Sequence, residues 1–252
     1  MEILTFGVGE RLRICASALA SGYVGDCRVV VLPIPTSRDK KTVTGTSTPL
    51  EDILCEVRCG TVVAGYGIPD SLGREIEDRG GVIYDALLDE EFLRENAELT
   101  ALGTLGYILT ELGRAPSDLK VGIVGYGRIG SAMARLLLFL GAYVRIYSGS
   151  SATLSTLSSL GIESRDYRTD TDFSGLDLLI NTAPSAIVTK RSAASLSGAA
   201  LIDLASGKYL EGIDGVVKLP SVPEVSFPVS AGKIYARCIG RHICDLASPT
   251  KN

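Results

Sequence analysis

Short apolar runs alternate with amphipathic stretches along most of the chain. This is the pattern of a parallel sheet with helices on its faces. In the first part, residues 3–6, 28–32, 61–64 and 81–84 predict strands, and residues 11–20 and 71–79 predict helices between them. Residues 39–49 break the pattern. They are polar, rich in Thr, Gly and Lys, and read as a long loop of the kind that carries function in compact domains. Residues 89–113 read as helix, stopped by Gly113 and a breaker at 115–118. The later pattern is a strand at 120–124, a helix at 130–140, a strand at 143–147, a short helix at 152–160 and a weak strand at 162–167. Strands at 176–181, 200–204 and 216–219 and a helix at 231–246 complete it.

The predicted class is therefore α/β with two doubly wound parallel-sheet domains, the second of Rossmann type. Residues 1–96 form a flavodoxin-like domain in this reading. Residues 97–252 form the dinucleotide-binding domain, with 97–113 as a bridging helix and 231–246 as the C-terminal helix.

Composition narrows the function classes. The 252 residues suffice for two domains, and 46% hydrophobic with 21% charged residues is a globular balance. The formal charge of −4 comes with no Lys/Arg cluster, which argues against nucleic-acid binding. No apolar stretch approaches the roughly 20 residues of a membrane span, and the N-terminus shows no signal-like core. Six cysteines are present, but Cys55 and Cys59 have no second pair at zinc spacing and no nearby His. Reduced thiols in a cytoplasmic protein without a metal are expected.

The most specific local signal is GYGRIG at 125–130. An apolar strand runs into it, a helix leaves it, and a second strand returns at βαβ spacing. Gly125 permits the sharp turn, Gly127 lets the backbone approach a pyrophosphate, and Gly130 lets the helix pack on the sheet. Arg128 and Ile129 lie in the loop directly before the helix that starts at Gly130, and the amides and dipole of that helix start favour phosphate. The end of the next strand selects the cofactor. An NAD site places a carboxylate there for the ribose hydroxyl, whereas this chain has Ser148 and Ser150 and no carboxylate. NADP is therefore expected, with NAD as the alternative. Arg128 is the candidate charge, because no Arg directly follows this strand. Asn181, Thr182, Ala183 and Pro184 end a later strand and suit a lip over the nicotinamide ribose. Asp203 ends the next strand and reads as a buried acceptor tying loops together.

Hydroxy-acid dehydrogenases normally use a His–carboxylate relay. The single histidine, His242, lies in the apolar stripe of the last helix, which argues against a simple enzyme of that type. The segments VVVLPIPTSRD (29–39), NAELTALGTL (96–105), the loop-containing 121–142, INTAPSAIVT (180–189), LIDLAS (201–206) and LPSVPEVSFPVSAGKI (219–234) resemble the A subunit of dipicolinate synthase of spore-forming bacteria. The resemblance spans most of the chain. It implies an N-terminal α/β domain followed by a Rossmann domain, and NADP-dependent oxidation of dihydrodipicolinate to dipicolinate during sporulation, alongside a B subunit. It also implies that Asn96 and Thr100 face the substrate and that Asn181, Thr182 and Pro184 lie on the nicotinamide side. The chain departs from the family at Glu224, where a Gly is expected, and at Val229, where a basic residue is expected; its N-terminus is also shorter. Lys40, Lys41, Lys208, Lys218 and Lys233 are candidate cations for a small dicarboxylate, and Lys208 is singled out because it follows the strand end at 203–206. No catalytic base is assigned. Oligomerisation with identical copies is expected. The alternatives are a dehydrogenase of another small carboxylic acid and a non-catalytic nucleotide-binding subunit.

Overall fold

The computed structural model describes residues 1–23, 27–207 and 209–247. The chain forms two compact units. Met1–Asn96 and Pro223–Asn252 make the first, and Ala97–Val222 the second.

The first unit contains β1 (Glu2–Thr5), α1 (Glu10–Gly22), β2 (Arg28–Val31), β3 (Val62–Gly65), α2 (Asp70–Asp78) and β4 (Val82–Asp85), and the start of α3 (Glu90–Glu111). The strands are parallel, in the order β1-β2-β3-β4. Side chains alternate across this sheet. Val29 and Val31 of β2 pack against Leu12, Cys15 and Leu19 of α1. Val30 and Leu32 pack against Leu72 and Ile76 of α2, and against Ile53 and Leu54 of a 3-10 turn at Leu50–Glu56. Helices thus cover both faces, as a doubly wound sheet requires, but the strand order never reverses. A flavodoxin-like order places one strand outside the first. Here, among the described residues, β1 is the edge strand and none lies outside it. The connections through α1 and through α2 step the same way across the sheet on opposite faces, so they have opposite hands, an exception to the right-handed rule.

The loop at 39–49 is built around one side chain. The Asp39 carboxylate accepts from the amides of Lys41 and Thr42, both at 2.8 Å, and from the Ser37 and Thr42 hydroxyls at 3.0 and 2.9 Å. These bonds, led by the Thr42 amide, hold its pKa well below the usual carboxylate range. Val43 is fully buried and Thr42 bridges to Pro49.

The second unit contains β5 (Lys120–Val124), α4 (Arg128–Phe139), β6 (Tyr143–Ser148), α5 (Ser151–Ser159) and β7 (Glu163–Asp166), then β8 (Leu178–Asn181), α6 (Lys190–Ala193), β9 (Ala200–Asp203) and β10 (Val216–Lys218). α7 (Val222–Ser226) and α8 (Pro228–Ala247) follow. The six parallel strands run β10-β9-β8-β5-β6-β7. This is the Rossmann order, with its switch point between β5 and β8.

One assignment is corrected. The sequence pattern places residues 231–246 in the second domain, but α8 belongs to the first unit. Tyr235, Ala236, Cys238 and Ile239 of α8 join the α1 core, and the Tyr235 hydroxyl donates to the Leu32 carbonyl at 3.2 Å. Two glycines two turns apart allow close approach. A Cβ on Gly232 would meet the Arg11 carbonyl and Ile14, and one on Gly240 would overlap the Tyr23 ring. Salt bridges from Arg237 to Glu95 and from Arg241 to Asp89 and Glu91 tie α8 to the start of α3.

Candidate nucleotide-binding site

The site starts where β5 runs out. Gly125 adopts φ +92°, a conformation that favours glycine. Gly127 caps α4, and no side chain bonds to the first helical amides. Those amides have no carbonyl partner within the helix, so a bound anion can take them. The three glycines meet different surroundings. A Cβ on Gly125 would lie 2.8 Å from Thr182 Oγ1 and 3.2 Å from the Ala183 amide. A Cβ on Gly130 would strike the Gly125 carbonyl oxygen and lie 3.0 Å from Thr182 Oγ1. Around Gly127 there is nothing within 4 Å. The first and third glycines therefore serve packing, and the second faces open space where a diphosphate would come.

Thr182 locks the loop across the switch point. Its amide donates to the Val124 carbonyl at 2.9 Å and its hydroxyl donates to the same oxygen at 3.0 Å. Behind it, Asn181 is fully buried and donates through Nδ2 to Asp203 Oδ1 at 2.9 Å. Asp203 also accepts from the Ala205 amide at 3.1 Å, and Lys218 Nζ lies 3.8 Å from its other oxygen. Asp203 thus ties the ends of β8 and β9 together, and Lys218 serves it as counter-ion. Ala183 is buried and Pro184 exposed at the rim. Arg128 is exposed and Ile129 half-buried at the helix start.

At the end of β6 the backbone already engages both serines. Ser148 is buried and its Oγ accepts from the Ser150 amide at 3.2 Å, while Ser150 Oγ caps α5 by accepting from the Thr153 amide at 3.3 Å. A feature that sequence reasoning missed lies beside them. Asp166 of β7 pairs in register with Ser148. Tyr167 lays its ring against Gly149, within 2.6 Å of where a Cβ would stand. Arg168 forks onto Asp166, with Nη2 at 2.6 Å and Nε at 2.9 Å, and this pair holds the Asp166 pKa below its ordinary value. The guanidinium absent from the end of β6 thus stands one strand away, a placement set by sheet pairing rather than by local sequence.

Asn96 and Thr100 lie one turn apart on α3; Thr100 is buried and its carbonyl accepts from Thr104 Oγ1 at 2.8 Å. Lys208 lies outside the described residues. Among the described residues no cluster of potential metal ligands occurs, and no helix is long and apolar enough to cross a membrane.

Comparison with known proteins agrees with this geometry. Residues 106–211 match the family described as D-isomer specific 2-hydroxyacid dehydrogenase, NAD binding domain. A curated relative, the A subunit of dipicolinate synthase from Bacillus subtilis (strain 168), is 29% identical over 163 residues, which cover 60% of this chain. The match spans 54% of that relative's own length. The solved A chain of dipicolinate synthase from Bacillus subtilis superposes with a TM-score of 0.80 at 19% identity, covering 98% of this chain and 97% of that one. The corresponding protein from Bacillus halodurans gives 0.79 at 21% identity, covering 96% and 97%. Residues 106–211 are thus similar to the nucleotide-binding domains of hydroxy-acid dehydrogenases, and the chain as a whole shares the fold of the dipicolinate synthase A subunit.

Proposed function

We propose that the chain is an NADP-dependent oxidoreductase of a small carboxylic acid, with dihydrodipicolinate as substrate and dipicolinate as product, working with a B-type subunit. The observation that carries this reading is the phosphate loop at the switch point: an uncapped helix start, an open Gly127 and a loop fixed by Thr182. The similarity to the A subunit of dipicolinate synthase supports the choice of substrate.

The dinucleotide would supply the two-electron acceptor, and the second hydrogen leaves the dihydropyridine ring as a proton to water. Because the product gains aromatic stabilisation, the reaction tolerates the absence of a His–carboxylate relay. The protein's part is positioning. The α4 amides hold the diphosphate, and the rim at Asn181–Pro184 lies beyond the strand ends where the nicotinamide ribose belongs. Asn96, Thr100 and Lys208 are assigned to the substrate. For the cofactor choice, neither Ser148 nor Ser150 carries a charge that would repel a 2′-phosphate, and Arg168, two residues past the β7 position that pairs with Ser148, would turn from Asp166 to it.

The test is a fluorescence titration with NADPH and NADH, followed by turnover of fresh dihydrodipicolinate with and without a B-type subunit. NADPH should bind more tightly, and Arg168→Ala should weaken NADPH roughly tenfold, the scale of a charge-assisted hydrogen bond, with little effect on NADH. Failure of both nucleotides to bind would end the enzymatic reading.

A further inference from the structure

The first unit buries a cation that the nucleotide site does not use. Arg11 is 5% exposed, its Nε has no hydrogen-bond partner, and it forms no ion pair among the described residues. Burial disfavours its charge, and only the field of nearby groups, Glu224 first, works against that. An uncompensated buried guanidinium is costly, and such groups are normally paired.

Its surroundings suit an anion. Arg11 stands in the first turn of α1, whose cap residue Gly9 has φ +136° and whose amides receive no side-chain cap. The guanidinium lines a cavity of about 10 Å³ together with Leu12, Leu32, Ile34, Glu224 and Tyr235. That volume holds one water-sized atom. The cavity lies where the chain leaves the carboxyl ends of β1 and β2, the end at which parallel sheets bind ligands. Tyr235 already spends its proton on the Leu32 carbonyl. Glu224 sits so close to Gly9 that a Cβ there would overlap its carboxylate oxygen.

We propose that Arg11 is the receptor for a carboxylate of a small organic acid, one oxygen entering this cavity and the other meeting the uncapped amides of α1. Glu224 sets the selectivity. Its negative charge disfavours a bare dianion and favours an acid that carries a proton donor beside its carboxylate, such as a protonated ring nitrogen. Naming this acid as the substrate rests on the dehydrogenase reading; the anion site itself does not.

Calorimetric titration of the full chain with pyridine-2,6-dicarboxylate and pyridine-2-carboxylate, with uncharged pyridine as control and NADPH in a separate arm, tests this. The two carboxylates should bind and pyridine should not. Arg11→Gln should weaken them roughly thirtyfold, the scale of losing a charge-assisted hydrogen bond. Arg11→Lys, which keeps the charge but not the fork, should fall between. Glu224→Gln should tighten the dicarboxylate severalfold, and NADPH affinity should stay constant throughout. A folded Arg11→Gln protein that binds the carboxylates like wild type overturns the proposal. So does a wild type that binds NADPH and neither carboxylate, an outcome that spares the dehydrogenase reading. Carboxylate binding through Arg11 without any dinucleotide binding supports the site and removes that reading. Should Arg11→Gln not fold, wild-type affinity in both Arg11→Lys and Glu224→Gln decides against it.

Discussion

At the scale of single residues, the glycines of one loop separate into two roles. Gly130 abuts the Gly125 carbonyl and Thr182, so a methyl group there must displace backbone. Gly130→Ala should destabilise the protein by about 1–3 kcal/mol, the usual cost of overpacking, and weaken nucleotide binding with it. Gly127 has open space around it. Gly127→Ala should leave stability within about 0.5 kcal/mol of wild type and still cost about tenfold or more in dinucleotide affinity, because its Cβ would stand where the diphosphate approaches. Urea unfolding and fluorescence titration of the two variants separate these effects; equal affinity losses scaling only with stability would refute the division. Asn181 and Asp203 follow a related logic. Both are buried, and each completes the other's bonding. Asn181→Ala should cost about 1–3 kcal/mol, the penalty of leaving a buried partner short of a hydrogen bond.

At the scale of elements, α8 is the piece whose removal matters most. It contributes Tyr235, Cys238 and Ile239 to the core shared with α1 and β2. Burying each such side chain is worth about 1.5–3 kcal/mol, a large part of the about 5–15 kcal/mol by which domains are stable. A chain ending at Val222 should therefore lose cooperative unfolding of the first unit, while residues 97–222 still bind dinucleotide. Limited proteolysis that left 1–96 resistant in that shortened chain would count against this. The same helix shows where sequence reading stops. Its apolar stripe announces a buried face but not the partner, and adjacency in the chain wrongly assigned it to the second unit. By contrast, β5, α4 and β6 were legible because strand, glycine loop and helix are consecutive, and each glycine's role is set within that segment. The turn at Leu50–Glu56 carries its buried side chains Leu50, Ile53 and Leu54 at helical spacing, but seven residues are too few for periodicity to stand out from loop. Arg11 does not stand out in the helix predicted at 11–20, since burial of a side chain whose Nε lacks a partner is a property of packing. The Asp166–Arg168 pair beside Ser148 depends on the register of two strands, which no local pattern encodes.

At the scale of the whole molecule, ionisable groups bracket the range in which the fold is stable. The Asp177 carboxyl is held below its ordinary value by Arg114, at 2.6 Å, and by the Lys120 amide. Asp170 is lowered by the Asp172 amide and Arg165, and Asp166 by Arg168. Lowered folded-state values stabilise the protein above the unfolded carboxylate range, about 3.9 for Asp. That contribution is lost as pH falls through the folded values. Asp39, held by its loop amides, is lowered furthest, and because all four carboxylates lie near the surface, together they set this acid limb only modestly. On the alkaline side, burial pushes the Cys238 thiol up to about 11 and the Cys15 thiol higher still. Raised values stabilise the fold fully below the unfolded thiol range, about 8.5, and the benefit fades as pH climbs toward the folded values. The urea midpoint should thus be flat from about pH 5 to 8 and fall on both sides, with Cys238→Ala flattening the alkaline limb. The thiols give an independent check on the same packing. Cys55, Cys59 and Cys244 are exposed and should react promptly with a disulfide reagent, whereas buried Cys15 and Cys238 should react only when the first unit opens. Native-state labelling of Cys238 as fast as that of Cys55 would show that α8 does not cover α1 in solution, and the alkaline prediction would fall with it.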